Sequence, residues 1–159
     1  MKVLISYGSN MGDKRENCRE AIRRILKLKG VTILWESSFY RTDPVGIIEQ
    51  DWFVNGLISV ETDIPPEELL DRLLSIELQM GRVREEKWGP RLIDLDIISY
   101  GDQVMESEKL TLPHPETPNR AFVLIPIRQI EPTWIHPVTG KTAGEMLQEL
   151  SEDQQVQII

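Results

Sequence analysis

Residues 82–98 have the sequence RVREEKWGPRLIDLDII, which predicts a basic loop followed by a β-strand. Apolar and acidic residues alternate from Ile93 to Ile97, and side chains on a strand point to opposite faces with a period of two. Asp94 and Asp96 therefore share one face of this strand, while the apolar residues share the other. The two Cα atoms are expected roughly 6.6 Å apart, at about 3.3 Å per residue.

Two interpretations of this acidic pair are open. Exposed strand faces commonly carry acids, so the alternation by itself is typical of a half-buried strand. Alternatively, two neighbouring carboxylates repel each other, and a divalent cation such as Mg²⁺ relieves that repulsion. The loop before the strand adds Trp88 and four cations, and cations with a carboxylate-bound metal are suited to binding a polyphosphate. These cations are Arg82, Arg84, Lys87 and Arg91.

Composition narrows the class of protein. The chain has 159 residues, which predicts a single domain over residues 1–159 with a proper core. Its net charge of −8 disfavours a general nucleic-acid-binding role. Neither a signal peptide nor an apolar run of membrane length is visible, and one cysteine excludes an internal disulfide, so we expect a cytoplasmic protein. Cys18 lies in a helical pattern, which favours packing over a nucleophilic role.

The predicted elements follow the order β-α-β-β-α-β up to residue 98. This order predicts a ferredoxin-like α+β fold, an antiparallel-rich sheet with helices on one face. Extra C-terminal strands and short helices follow, including a helix over 119–127 capped by Asn119, a helix over 142–150 and an edge strand over 156–159. The strands are predicted at 2–8, 31–41, 52–62 and 93–98, and the main helices run from Asp13 to Gly30 and from Pro65 to Gly81.

Several polar residues and loops invite a functional interpretation. The turn at residues 8–13 lacks the spacing of a phosphate-binding loop, so it predicts only a tight turn and a helix cap. The loop 42–51 carries apolar residues that either pack on the domain or close over a ligand. Asn55 in an apolar strand is either a structural clamp or a ligand-binding group. Glu77, near the end of a helix, either pairs with a loop arginine or contacts a ligand, and no function is assigned to His136.

These motifs together resemble the signature of the 6-hydroxymethyl-7,8-dihydropterin pyrophosphokinase family of folate biosynthesis. The resemblance covers about 120 residues in one order, and the Trp-Gly-Pro-Arg…Asp-Leu-Asp run is its most specific part. The motifs that carry it are GSN (8–10), SSFYRT (37–42), Asn55, IELQMGR (76–82), RVR (82–84), WGPRLIDLDI (88–97), LTLPHP (110–115) and NRAF (119–122).

The resemblance implies that the chain transfers pyrophosphate from ATP to the pterin hydroxymethyl group and releases AMP. It implies two Mg²⁺ ions on Asp94 and Asp96, with Arg82 and Arg91 on the moving phosphates. It places ATP against Glu77, Arg84, Trp88, Ile97, Lys109, Thr111, His114 and Arg120. It places the pterin against Thr42, Asp43, Val45, Gly46, Phe53, Asn55 and Phe122.

The chain departs from the family pattern at four of the residues. Phe53 replaces a common tyrosine, which preserves a stacking plane and removes a hydroxyl. Lys109 replaces a frequent arginine, so the charge is kept but the bidentate fork is lost. Asp43 stands where proline is frequent and Pro115 where tyrosine occurs.

Two other functions compete with this prediction. Asp94 and Asp96 would also suit a metal-dependent phosphohydrolase that releases phosphate from ATP without a pterin. A ferredoxin-like module that binds RNA or a regulatory ligand would use Phe53 and Phe122 for stacking, although the acidic balance argues against RNA. The partners expected are ATP and 6-hydroxymethyl-7,8-dihydropterin, with no nucleic acid and no membrane, and the chain is expected to be a monomer.

Overall fold

The computed structural model describes residues 1–43, 51–81, 92–151 and 154–159. Within these ranges the chain forms α-helices and antiparallel β-strands in a mixed arrangement. The strands are β1 (Lys2–Ser9), β2 (Val31–Glu36), β3 (Tyr40–Thr42), β4 (Phe53–Thr62), β5 (Asp94–Tyr100), β6 (Met105–Glu106), β7 (Thr111–Leu112) and β8 (Val156–Ile158). The helices are α1 (Lys14–Leu26), α2 (Pro66–Gln79), α3 (Ala121–Ile130) and α4 (Ala143–Gln148).

The main sheet has six strands in the order β5-β1-β4-β3-β8, and β2 pairs with β4 beside β3. Every pairing is antiparallel. The prediction of one strand over 31–41 was wrong, because β2 and β3 are separated at residues 37–39. The cause is Ser37, whose hydroxyl accepts the Leu57 amide at 2.9 Å. A side chain there takes the place of a backbone partner, and the chain changes direction before β3 begins.

The sheet has two different faces. Its back face packs on α1 and α2 through a large apolar cluster that includes Val3, Ile5 and Val60. Its front face packs on α3 and α4 through a smaller cluster. The prediction of helices on one face therefore holds for the first two helices and was wrong for the C-terminal pair, whose apolar residues need a second surface for burial. The front cluster contains Leu4, Leu57, Ile98, Val123, Leu124, Ile127, Ala143 and Met146.

Local signals fix most helix ends. The side chain of Asp13 accepts the Glu16 amide at 3.2 Å, which confirms the predicted N-cap of α1. Gly81 follows α2 with a φ of 97°, a left-handed conformation that favours glycine at a helix end. Helix α1 ends at Leu26, four residues before the predicted stop at Gly30, and Leu26 is exposed.

The predicted cap of α3 was wrong. Asn119 belongs to a 3-10 turn, and the N-cap residue is Arg120, which makes no side-chain capping bond. The side-chain oxygen of Gln154 instead accepts the Ala121 amide at 2.8 Å. The cap therefore comes from the C-terminal segment, 33 residues further along the chain.

Cys18 has the packing role that the helical pattern favours. Its side chain is fully buried, and burial raises the pKa of the thiol to about 12. A thiol with that pKa carries almost no thiolate at neutral pH, and the thiolate is the nucleophilic form. Across the described ranges, no helix is both long enough and apolar enough to cross a membrane.

Candidate active site

The front face is covered by α3 and α4 only in part, and its acidic residues lie on β5. Leu95 and Ile97 are buried in the back cluster, so Asp94 and Asp96 project from the front face, where both are half-buried. They lie opposite Gly8 and Ser6 of β1. The alternation therefore places the two carboxylates on one side of one strand, as the sequence predicts.

Glu77 holds the strand between the two aspartates. Its side chain is 2% exposed, and Oε2 accepts the Leu95 backbone N–H at 2.7 Å. Because Leu95 lies between Asp94 and Asp96, this bond fixes the backbone from which both carboxylates project. The sequence left open whether Glu77 pairs with a loop arginine or contacts a ligand. The structure adds a contact with the backbone of Leu95.

A row of paired residues crosses the front face from the acidic pair. Asp94 pairs with Gly8, Gly8 with Asn55, and Asn55 with Tyr40. Neighbouring strands lie about 4.8 Å apart, so Asn55 is roughly 10 Å from Asp94. A Cβ at Gly8 would lie 2.6 Å from the Asn55 side-chain nitrogen. Glycine is therefore required at position 8 for the Asn55 side chain to lie across β1. Because Gly8 has no side chain, the surface between Asp94 and Asn55 is not obstructed at this position.

Two buried oxygens on this part of the sheet have no hydrogen-bond partner in the described parts of the chain: Asn55 Oδ1 and Thr42 Oγ1. Thr42 pairs with Phe53 at the next front-facing position of the β3–β4 ladder, so the three side chains are neighbours. A buried polar atom without a partner costs about 1–3 kcal/mol. The half-buried ring of Phe53 beside these atoms supplies a flat apolar surface. The group therefore suits a planar ligand with polar edges.

The N-terminus of α3 provides a second wall. Phe122 is half-buried against the front cluster, and the Arg120 guanidinium lies 5.6 Å from the centre of its ring. Gln154 binds the helix between these two residues, at the amide of Ala121. Sequence reasoning missed Gln154, because no local pattern links residue 154 to a helix that begins at residue 121.

His114 lies between the acidic pair and Arg120. Its backbone N–H donates to Ile98 O at 2.8 Å, and its Nδ1 accepts the Glu116 amide at 3.2 Å. Burial lowers the pKa of His114, an effect that nearby Asp96 opposes and Arg120 reinforces. The neutral ring is therefore favoured, and it presents Nε2 as the protonated nitrogen.

The two residues that flank the segment 44–50 each form an ion pair, one with strand β3 and one with helix α1. Asp43 pairs with Arg41 at 3.1 Å, and Asp51 pairs with the buried ammonium of Lys14 at 3.0 Å. Both cations also lie on Trp52, with Lys14 Nζ 4.2 Å and Arg41 Cζ 4.7 Å from its ring. These contacts fix the two points between which residues 44–50 run.

Three of the predicted ATP residues are placed differently from the others. The side chain of Ile97 is 2% exposed in the back cluster, so a ligand on the front face would meet only its backbone. Lys109 pairs with Asp71 of α2 at 2.6 Å, on the helix that covers the back face. Thr111 pairs with Glu106 in the small β6–β7 sheet. The predicted residues Arg82, Arg84, Trp88, Arg91, Val45 and Gly46 lie outside the described residues.

The donor set on β5 fits a hard divalent cation. Carboxylate oxygens are preferred ligands of Mg²⁺, which usually binds through one or two carboxylates and completes its shell with water and phosphate oxygens. Among the described residues, no group of three or more His, Cys, Asp or Glu side chains could hold a metal. Asp94 and Asp96 therefore suit a metal that shares its coordination with a bound nucleotide.

Comparisons with known proteins show the family to which the chain is similar. Residues 4–132 match the model of the family described as 7,8-dihydro-6-hydroxymethylpterin-pyrophosphokinase. The chain is 39% identical over 149 residues to the 2-amino-4-hydroxy-6-hydroxymethyldihydropteridine pyrophosphokinase of Methylorubrum extorquens, covering 94% of this chain and 93% of the relative. It is 39% identical over 146 residues to the enzyme of that name from Pseudomonas aeruginosa, covering 92% and 90%.

A solved structure shares the fold. The crystal structure of Plasmodium falciparum HPPK-DHPS with pteroate superposes with a TM-score of 0.75 at 15% identity. The match covers 93% of this chain but spans only 42% of the Plasmodium chain. The extent of the family match and the identity to full-length relatives establish the family. The chain therefore belongs to the 7,8-dihydro-6-hydroxymethylpterin-pyrophosphokinase family.

Proposed function

We propose that the uncovered part of the front face is the place where this chain carries out the reaction of its family. The chain is a pyrophosphokinase of folate biosynthesis, which follows from its family and its full-length relatives. In the reaction, the hydroxymethyl oxygen of the dihydropterin forms a bond to the β-phosphorus of ATP. The bond from that phosphorus to the α–β bridging oxygen breaks, and AMP leaves.

One observation carries the placement of the site. The unpartnered oxygens of Asn55 and Thr42 lie on the same face as Asp94 and Asp96. A pterin has a ring edge of alternating donors and acceptors, which would satisfy those oxygens. Its hydroxymethyl group is at the far end of the ring, so a pterin bound at Asn55 points that group along the row toward Asp94.

The described residues divide the binding of the pterin among them. Asn55 and Thr42 bind the ring edge, and Phe53 and Phe122 stack on the two ring faces. We assign the same ring edge to the backbone of Asp43 and, outside the described residues, to that of Val45 and Gly46. A ring held between two aromatic planes loses its rotational freedom, so its hydroxymethyl oxygen is oriented before reaction.

Asp94 and Asp96 would hold two Mg²⁺ ions against the triphosphate. Bound there, Mg²⁺ supplies charge neutralisation at the oxygens of the transferred group. Arg82 and Arg91 bind the moving phosphates. The rest of the nucleotide is assigned to Glu77, Arg84, Trp88, Ile97, Lys109, Thr111, His114 and Arg120, with Glu77 acting through Leu95 and Ile97 through its backbone.

We further propose that residues 1–159 form one ferredoxin-like domain that acts as a monomer in the cytoplasm. The antiparallel order β5-β1-β4-β2 supports the ferredoxin-like topology, since the strand order of βαββαβ folds places the fourth strand beside the first. The three loops at 8–13, 42–51 and 81–91 connect elements at the end of the sheet that carries Asp94 and Asn55.

One assay tests the proposal against its two alternatives. Protein, Mg²⁺ and ATP are mixed with and without 6-hydroxymethyl-7,8-dihydropterin, and AMP and phosphate are measured. Pterin-dependent AMP supports pyrophosphate transfer. Phosphate formed without pterin supports a phosphohydrolase, and neither product leaves a binding module, so each of these two results contradicts the proposal. Omitting Mg²⁺ from the complete mixture tests the metal, because transfer should then stop.

A further inference from the structure

We propose that the C-terminal segment 154–159 sets the gap between the two walls of the pterin pocket, and that Gln154 is a positioning residue for Phe122. The inference rests on the proposed function, because it assigns Phe122 to a ring face and Thr42 to the ring edge, which are two different walls of that pocket. It concerns residues beyond 4–132, the part of the chain that the family model matches.

Gln154 forms hydrogen bonds to the N-terminus of α3 through both the oxygen and the nitrogen of its side-chain amide. Its Oε1 accepts the Ala121 N–H at 2.8 Å, and its Nε2 donates to Asn119 O at 2.9 Å. Arg120, between these two bonds, has an extended backbone and no capping bond from its own side chain. The first amides of a helix lack partners within the helix, so Gln154 supplies a cap that the local sequence does not.

The residues beside these two hydrogen bonds belong to the proposed substrate site. Arg120 lies between the two hydrogen bonds, and Phe122 is the next residue after the bound amide. Any rotation of the first turn of α3 therefore moves the ring of Phe122. A stacking contact depends on the plane of the ring and on its distance, so it is sensitive to such a rotation.

The rest of the segment pairs with β3, the strand that carries Thr42. Strand β8 pairs with β3, with Val156 opposite Thr42 and Ile158 opposite Tyr40. The Asp43 amide donates to Gln155 O at 3.4 Å, and the Ile159 amide donates to Phe39 O at 3.0 Å. Three residues, Gln154 to Val156, therefore connect Thr42, on the ring-edge wall, with the first turn of α3, which carries Phe122 on the ring-face wall.

Because of this connection, the segment sets the distance between the wall with Thr42 and the wall with Phe122. The α3 wall also packs on the sheet through the front cluster, and Gln129 of α3 accepts the Tyr40 hydroxyl at 2.7 Å. Those contacts hold the helix along its length. Gln154 acts at its first turn, where α3 meets the uncovered part of the front face.

The test is the variant Gln154→Met, which keeps the length of the side chain and removes both hydrogen bonds. We expect its KM for the pterin to rise about fivefold to tenfold, since two hydrogen bonds to the helix end are lost. The KM for ATP should change less, because long flexible side chains such as Arg120 tolerate a small shift. The melting temperature should fall by no more than about 4 °C.

Two further variants sharpen the result. Gln157→Met alters an exposed residue of the same segment, and its pterin KM should equal that of the wild type. Gln154→Glu can still accept the Ala121 amide but cannot donate to Asn119, so its pterin KM should lie between those of the wild type and Gln154→Met.

Other outcomes overturn the inference. A lower melting temperature with an unchanged pterin KM in Gln154→Met would reduce Gln154 to a structural role. An equal rise in Gln157→Met would show that the effect does not come from the two hydrogen bonds of Gln154, which overturns its role as the positioning residue. A wild-type chain that forms no pterin-dependent AMP overturns the proposed function, and this inference with it. An active wild type beside an unaffected Gln154→Met overturns this inference alone.

Discussion

Buried side-chain oxygens of β3 and β4 differ between the covered and the uncovered parts of the front face. Under α3 the hydroxyl of Ser59 donates to Glu131 at 3.0 Å, and Lys2 pairs with the same carboxylate at 3.1 Å. On the uncovered part, Asn55 Oδ1 and Thr42 Oγ1 are buried and lack a partner in the described ranges. Ser59 and Asn55 lie on one strand, four residues apart, and face the same way.

The difference indicates where the strand serves stability and where it serves binding. A buried polar atom with a partner contributes to the folded state, whereas one without a partner costs free energy that a bound ligand can recover. Substitutions on the covered part should therefore change stability and leave binding intact. Those on the uncovered part should do the reverse, and the following predictions test this division.

The largest effect is expected at the acidic pair. Asp96→Asn keeps the shape of the side chain and removes the charge that binds Mg²⁺, so kcat/KM should fall by about 10³-fold, or roughly 4 kcal/mol of transition-state stabilisation. The melting temperature should change little. Asp102→Asn, in the exposed turn after the same strand, is the matched control and should keep full activity. Full activity of Asp96→Asn at ordinary Mg²⁺ would exclude the proposed metal site.

The next effect lies on the covered part. Leu4 is 1% exposed in the front cluster, and Leu4→Ala should lower the free energy of unfolding by about 2–5 kcal/mol. Denaturant titration measures this loss. The KM values of the fraction that remains folded should match those of the wild type, and a raised pterin KM would mean that the two parts of the face are coupled.

A smaller effect separates two polar residues of β4. Asn55→Ala should raise the KM for the pterin about tenfold to thirtyfold while the melting temperature stays near the wild-type value, because Oδ1 has no protein partner in the described ranges. Ser59→Ala should do the opposite, since it removes the donor to Oε1 of the buried Glu131 carboxylate and leaves only Lys2 on Oε2. Steady-state kinetics and thermal melts on both variants measure the contrast. Equal pterin KM values in both variants would contradict the assignment of Asn55.

The smallest effect is the pH dependence of the free energy of unfolding on the covered part of the front face. His136 is buried beside Trp134, its Nδ1 accepts the Val138 and Thr139 amides at 3.1 Å each, and burial lowers its pKa from the ordinary 6.5. The unfolded chain thus binds a proton below pH 6.5 that the folded chain resists. This stabilisation is complete above pH 6.5 and is lost as the pH falls toward the folded pKa.

Removing the ring nitrogens should reveal that pH dependence. His136→Phe should destabilise the protein by about 1–2 kcal/mol at pH 7.5, through the loss of two hydrogen bonds, and by less at pH 5. Denaturant titrations of variant and wild type at the two pH values measure the change. A gap that widens on acidification would contradict the sign of the pKa shift.

Local signals predicted much of this molecule. The period of two on β5 predicted that Asp94 and Asp96 share a face, because a strand allows no other arrangement of alternate side chains. The caps at Asp13 and Gly81 are also local, since they depend on a few neighbouring residues. The division of 31–41 was not predictable in this way, because the hydroxyl of Ser37 binds Leu57, twenty residues away.

The family, the acidic pair and the order of the main elements up to residue 98, apart from the division of 31–41, could be predicted from the sequence, because motifs and side-chain periodicity are properties of adjacent residues. Only the tertiary structure decided that Gly8 lets Asn55 lie across β1, that Glu77 holds Leu95, and that Gln154 caps α3. These contacts join residues 18 to 47 positions apart, so packing alone could bring them together.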